Sequence, residues 1–164
     1  SELDGENPKV LEPLVELYLE AGELNRAAPL VQGMVTQLEK ARKMKPLARA
    51  LFRLGQLAEA QGDADEAMSA YERARKADAT FASNLVALAQ LQVTRELWTE
   101  AQDVLRALLL QRQLTDEERV QVFYLNGLAR LNAGDERKAK DMFTRALDVN
   151  AEHAESKAAL ERLG

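Results

Sequence analysis

The stretch Glu59-Ala-Gln-Gly62-Asp-Ala-Asp-Glu-Ala67 recurs three more times in altered form. The other versions are Leu19-Glu-Ala-Gly22-Glu-Leu-Asn-Arg-Ala27, Val93-Thr-Arg-Glu96-Leu-Trp-Thr-Glu-Ala101 and Leu131-Asn-Ala-Gly134-Asp-Glu-Arg-Lys-Ala139. Each centres on a glycine or a turn residue and places an alanine five residues later. Such repetition implies a stack of small similar units, with function on the surface that the stack makes. The centres lie 40, 34 and 38 residues apart, a unit of 34 with insertions of six and four.

Each unit reads as helix, tight turn, helix. Leu51, Leu54 and Ala58 precede Gly62 at helical spacing, and Ala67, Ala70, Tyr71 and Ala74 follow it. Glycine suits the turn because it adopts the left-handed conformation that ends a helix. The alanine five residues on lets two helices approach closely. Asp63 with Glu66, and Thr115 with Glu118, are capping-box starts. The pattern predicts helices over 8–21, 24–44, 46–61, 64–77, 81–94, 98–112, 116–133, 136–149 and 152–163. Trp98 is expected in the core between helices.

These residues resemble the tetratricopeptide repeat family. Residues 48–81 carry the family's large, Leu-Gly, Gly-Asp, Ala, aromatic, Ala and Asp positions as Leu51, Leu54-Gly55, Gly62-Asp63, Ala67, Tyr71, Ala74 and Asp78. Residues 120–153 carry Phe123, Gly127, Gly134-Asp135, Ala139, Phe143, Ala146-Leu147 and Asn150. Residues 82–115 keep Leu85, Leu88-Ala89, Ala101, Leu105 and Leu109, with Glu96 where glycine is usual; residues 8–41 keep Leu11, Leu14, Tyr18, Gly22, Ala27 and Val31. The resemblance covers nearly the whole chain. It implies an all-α fold: a right-handed α-solenoid of about four helix-turn-helix units, forming a single domain, with helix 152–163 as a C-terminal cap. That helix carries Lys157 and Glu161 in slots that are apolar or small elsewhere, which suits an outer, solvated face.

Two residues depart from the pattern. Asn126 stands where the family usually has leucine, so its amide is either buried and hydrogen-bonded or turned outward. Pro29 falls inside the expected second helix, where a proline costs about 3 kcal/mol; that helix either starts late or kinks. The opening string, without methionine, reads as the tail of an earlier repeat, so the chain is expected to be a fragment of a longer protein with further structure on its N-terminal side.

Composition narrows the function. Apolar residues make up 46% and aromatics 5%, and no stretch approaches the ~20 apolar residues of a membrane span, so no membrane insertion is expected. Cysteine is absent, which excludes disulfides, thiol catalysis and thiolate metal sites. The single histidine, His153, has no partner histidine and reads as an exposed loop residue. No glycine-rich phosphate loop and no nucleophile–base pattern occur. The reading is therefore not an enzyme, with a hydrolase using acidic pairs as a distant third alternative, and no cofactor or metal is expected. The cytoplasm is the favoured location, and arginine over lysine with many alanines suggests a bacterial source.

Net charge is −5, but residues 1–41 alone carry −5 and residues 42–81 carry +2. The basic run Lys40, Arg42, Lys43, Lys45, Arg49 and Arg53 lacks interleaved aromatics, so a solvated helix is preferred to a nucleic-acid site.

In the family, the first helix of each unit lines the concave surface. The implied groove residues are Glu12, Glu16 and Glu20; Phe52, Gln56 and Glu59; Val86, Gln90 and Val93; and Tyr124, Leu128 and Leu131. Lys9, Arg49, Ser83 and Gln121 lie at its rim. The set grades from an acidic end to an apolar, aromatic one, with Leu128 and Leu131 open between groove and core. The family's best-known mode clamps a terminal carboxylate with lysine, asparagine and arginine; the matching places here, such as Glu12, Glu16 and Ala87, do not supply that set. The chain is thus expected to be a protein-interaction module that holds a peptide or helix of a partner protein in its groove. The alternative is a structural scaffold that self-associates through its open repeat ends.

Overall fold

The computed structural model describes residues 7–164. Among these are nine α-helices and no strand: α1 Pro8–Glu20, α2 Leu24–Ala41, α3 Met44–Ala60, α4 Ala64–Ala77, α5 Ala82–Thr94, α6 Trp98–Leu109, α7 Asp116–Asn132, α8 Glu136–Val149 and α9 Ala154–Leu163. The chain divides into two compact units after Asn84.

The four repeated turns share one hydrogen-bond pattern. Gly62 N–H donates to the Glu59 carbonyl at 2.9 Å and Asp63 N–H reaches back to Ala58 at 2.9 Å. The same two bonds recur at Gly22-Glu23, Glu96-Leu97 and Gly134-Asp135. This is the helix ending that needs a left-handed residue, and φ is +73°, +78° and +78° at Gly22, Gly62 and Gly134. Glu96 takes the same conformation at φ +59°, so a side chain stands where glycine fits without strain. Glu96→Gly should raise stability by about 0.5–1 kcal/mol, because relief of the left-handed strain exceeds glycine's greater freedom when unfolded. Urea denaturation checks this; an unchanged or lower midpoint would count against it.

The alanines five residues after the turns, Ala27, Ala67, Ala101 and Ala139, are all fully buried. Above them a size match holds each pair together. Gly55 faces the Tyr71 ring and Gly127 the Phe143 ring, and a Cβ on either glycine would collide with ring atoms. The corresponding positions are Ala89 with Leu105 and Val15 with Val31, all fully buried. A large residue on the second helix thus goes with a small one on the first. In the unit ending at Asn84, aliphatic side chains of α1, α2 and α3 meet Ala70 and Ala74 in one core. In the other, Tyr124, Leu128, Leu131, Leu160 and Leu163 pack around Ala139, Phe143 and Ala159, while Lys157 and Glu161 of α9 are exposed.

Helix boundaries differ from expectation at the end of α6, expected at 112 and found at Leu109, and between α2 and α3. The helix expected to 44 stops at Ala41, with Arg42 left-handed at φ +55°. Pro46 has no N–H to give the Arg42 carbonyl, so the break precedes it, and α3 restarts with Pro46 in its first turn, where that N–H is not needed. Pro29 does not delay α2, which starts at Leu24 and runs through it. Thr115 and Glu118 form both bonds of the capping box; Asp63 accepts from Glu66 N–H at 3.0 Å. Asn126 is buried and donates to the Val122 carbonyl at 2.9 Å. Trp98 is half-buried rather than in the core.

Candidate functional site

In the first unit, the expected groove residues sit on α1 and α3. Glu12 is half-buried, and Glu16 and Glu20 are exposed. Glu16 is not a free carboxylate: its Oε1 lies 3.4 Å from Arg53 Nη2. Arg53 Nη1 donates to Gln56 Oε1 at 2.9 Å, and the guanidinium lies 5.6 Å from the Phe52 ring centroid. The acidic ladder is therefore partly neutralised from within. Nothing in the sequence marked Arg53 for this role, because it read as the end of a basic run; the pairing joins two helices whose facing residues lie 37 positions apart.

Phe52 corrects the expected set. It is buried, with its ring edge-on to Phe81 at 5.3 Å and tilted against Tyr71 at 6.0 Å. Large aromatics at both neighbouring positions draw it inward. Glu59 is exposed but accepts the Tyr71 hydroxyl at 2.5 Å. Burial, and then Glu59, push the Tyr71 phenol far above its ordinary range, so it stays protonated and donating.

The rim residues Lys9 and Arg49 share a cleft of about 400 Å³ with Glu12, Lys45, Asp78, Thr80 and Phe81. Asp78 accepts from Thr80 Oγ1 at 2.7 Å and Thr80 N–H at 2.9 Å. These two bonds, with Lys45 and Arg49 adding, hold its carboxyl below the usual carboxylate value. Arg49 lies 5.8 Å over the Phe81 ring.

In the second unit, Val86 and Gln90 on α5 are half-buried, as are Tyr124, Leu128 and Leu131 on α7. Gln121 Nε2 donates to Gln90 Oε1. Val93 is the second correction: it is buried. Leu128 and Leu131 pack against the Phe143 core while keeping part of their surface open.

Tyr124 is held on two sides, with ring centroids 5.9 Å from Phe143 and 5.3 Å from His153. Burial, and then the charge of Glu155, raise its phenol pKa. His153 is not the exposed loop residue expected. Its side chain is only 14% exposed, and its Nδ1 accepts Ser156 N–H at 3.3 Å to cap α9. Its Nε2 lies 3.3 Å from Glu155. The reason is visible on shifting the second repeat by 72 residues: Phe52 falls on Tyr124 and Phe81 on His153. Both pairs meet edge-on at 5.3 Å. His153→Ala should cost about 1–2 kcal/mol through the lost cap and ring contact. Hydrogen exchange should then be fastest in α9; unaltered exchange there would refute the capping role.

Two comparisons bear on this geometry. The family model described as Tetratricopeptide repeat matches residues 48–81, the stretch that holds the Gly55–Tyr71 pair and the Gly62 turn. Residues 48–81 are thus similar to a tetratricopeptide repeat. The fold of the chain is that of the family's helical solenoids. The tetratricopeptide repeat domain of Arabidopsis OM64 is 20% identical over 73% of this chain and 96% of its own length, with a TM-score of 0.64. TTC0263, a thermophilic tetratricopeptide repeat protein of Thermus thermophilus, is 16% identical over 99% and 84%, with a TM-score of 0.59. YrrB, a tetratricopeptide repeat protein with an unusual peptide-binding site, is 20% identical over 98% and 95%, with a TM-score of 0.57. No curated protein matches the sequence. Tetratricopeptide repeats are in general non-catalytic scaffolds for protein interaction. Among the described residues no helix is long and apolar enough to cross a membrane, and no group of three metal-ligating side chains occurs.

Proposed function

We propose that this chain binds a peptide or helix of a partner protein along the faces of α1, α3, α5 and α7. The observation that carries the reading is Tyr124. Its ring is fixed by Phe143 and His153, it is partly exposed, and its hydroxyl makes no hydrogen bond among the described residues. A rigid aromatic with a free hydroxyl binds at low entropic cost. Its counterpart Phe52 is buried, edge-on to Phe81, and has no hydroxyl to offer. YrrB, described as having an unusual peptide-binding site, supports a peptide ligand for this fold.

Peptides selected from a displayed random library against the protein provide the probe. The double change Tyr124→Ala with Val86→Asp should abolish their capture and leave sedimentation unchanged. Capture that survives, with altered sedimentation, would favour a self-associating scaffold instead.

With Glu16 held by Arg53, Glu12 and Glu20 remain to meet a basic group of a ligand. Exposed charges are screened beyond about 8 Å at physiological salt, so affinity should fall as salt rises, and Glu12→Gln with Glu20→Gln should remove that dependence. Salt-insensitive binding by the unaltered protein would refute this role for the carboxylates.

A further inference from the structure

The turn centres Gly62 and Gly134 put α7 and α8 in register with α3 and α4, and the centres Gly22 and Glu96 do the same for α6 with α2. On that register Phe123, Met142 and Arg145 correspond to Leu51, Ala70 and Arg73. Leu109, Arg112 and Gln113 correspond to Val35, Leu38 and Glu39. In the unit ending at Asn84, the last turns of α2 cover this surface. Val35 and Leu38 share one core with Leu51 and Ala70, and Glu39 pairs with Arg73 at 2.5 Å.

In the other unit the cover stops short. α6 ends at Leu109, so Arg112 and Gln113 fall in the link to α7. A cleft of about 490 Å³ opens there, lined by Leu109, Leu114, Phe123 and Met142 with Arg112 and Arg145 beside them. Leu109 is 40% exposed, whereas Val35 is 6% exposed. Phe123 and Met142 are half-buried, whereas Leu51 and Ala70 are buried. Arg112 forms no ion pair among the described residues. Arg145 meets Asp141 at 3.0 Å in an exposed pair, which is worth little. Arg119 and Val122, which also line the cleft, lie on the side of α7 away from Tyr124 and Leu128.

We infer that this cleft docks a short amphipathic helix of a partner protein, with aliphatic side chains at i and i+3 and a carboxylate at i+4. The molecule holds its own example of that occupant. Val35, Leu38 and Glu39 have this spacing, share one helix face and cover the equivalent surface. The aliphatic pair would enter against Leu109, Phe123 and Met142, and the carboxylate would meet Arg145, with Arg112 at the rim. Val35 and Leu38 are themselves buried, so a folded second copy cannot supply them. The site is separate from the groove and does not depend on that reading.

The probe is a synthetic peptide of residues 30–42 of this chain, blocked at both ends. One side-chain staple keeps it helical, because isolated helices this short are marginal. It is titrated into the whole isotopically labelled protein. Amide shifts should gather at Leu109, Phe123 and Met142, and Leu38→Asp in the peptide should abolish them. Arg145→Glu in the protein should weaken binding about fivefold, the upper worth of an exposed ion pair, and Glu39→Arg in the peptide should restore it. Absent shifts, shifts at Tyr124 and Leu128 instead, or equal binding by the Leu38→Asp peptide would overturn the inference. Concentration-dependent shifts at the cleft without peptide would overturn it too, by assigning the cleft to a second copy.

Discussion

Gly127→Ala should destabilise the protein by about 2–3 kcal/mol, the cost of overpacking a tight core. Helix propensity alone predicts the opposite, since alanine is favoured over glycine by about 1 kcal/mol inside a helix. Packing decides the sign. The new Cβ would strike the edge of the Phe143 ring, and Phe143 is fully buried, so the ring has no solvent side to retreat to. The same holds for Gly55 against Tyr71, whose hydroxyl is further tied to Glu59. A compensating change separates this account from a general intolerance of the site. Phe143→Leu added to Gly127→Ala recreates the combination of Ala89 with Leu105 found in the neighbouring repeat. The double variant should be more stable than Gly127→Ala alone, although Phe143→Leu by itself loses ring contacts. Equilibrium urea denaturation of the four proteins measures the coupling. A neutral or stabilising Gly127→Ala would refute the size match.

The second large effect is on binding. Tyr124→Ala should weaken a selected peptide by at least about 30-fold, the loss expected of a hot-spot aromatic worth about 2 kcal/mol. Part of that loss would come from the pocket itself, because Tyr124 also supports His153 and Phe143. Tyr124→Phe isolates the ligand's share. It keeps the ring and both contacts and removes only the hydroxyl, which has no hydrogen-bond partner among the described residues. It should leave stability unchanged and cost about 0.5–1.5 kcal/mol of affinity, the net worth of one hydrogen bond. Isothermal titration with thermal unfolding reads both quantities; full affinity in Tyr124→Phe would show that the hydroxyl is not used.

Much of the fold was legible in the sequence because the turn is chemically specific. A left-handed residue ends the first helix and a small one follows five positions later, so the register survives even where Glu96 replaces glycine. Boundaries were less legible where breaking came from sterics beyond the local pattern, as at Arg42, four residues before Pro46. The candidate site was legible as a set of positions and much less as a set of available side chains. Periodicity puts Phe52 and Val93 on the same face as Gln56 and Gln90, but neighbours far along the chain decide which of them turns inward. Phe52 is taken by Phe81 and Tyr71. Glu16 is taken by Arg53, and His153 is drawn under Tyr124 in the slot that Phe81 fills in the second repeat. That last substitution was readable in principle, by aligning the second and fourth repeats position by position rather than judging the histidine alone.

Whether ligands lie on the first helices of the pairs is tested most directly by amide chemical-shift mapping with a selected peptide. Shifts should concentrate at Gln56, Val86, Gln90, Tyr124 and Leu128, with α2, α4, α6 and α8 little changed. Shifts concentrated on the exposed residues of those second helices, with Tyr124 and Val86 unmoved, would contradict the groove reading.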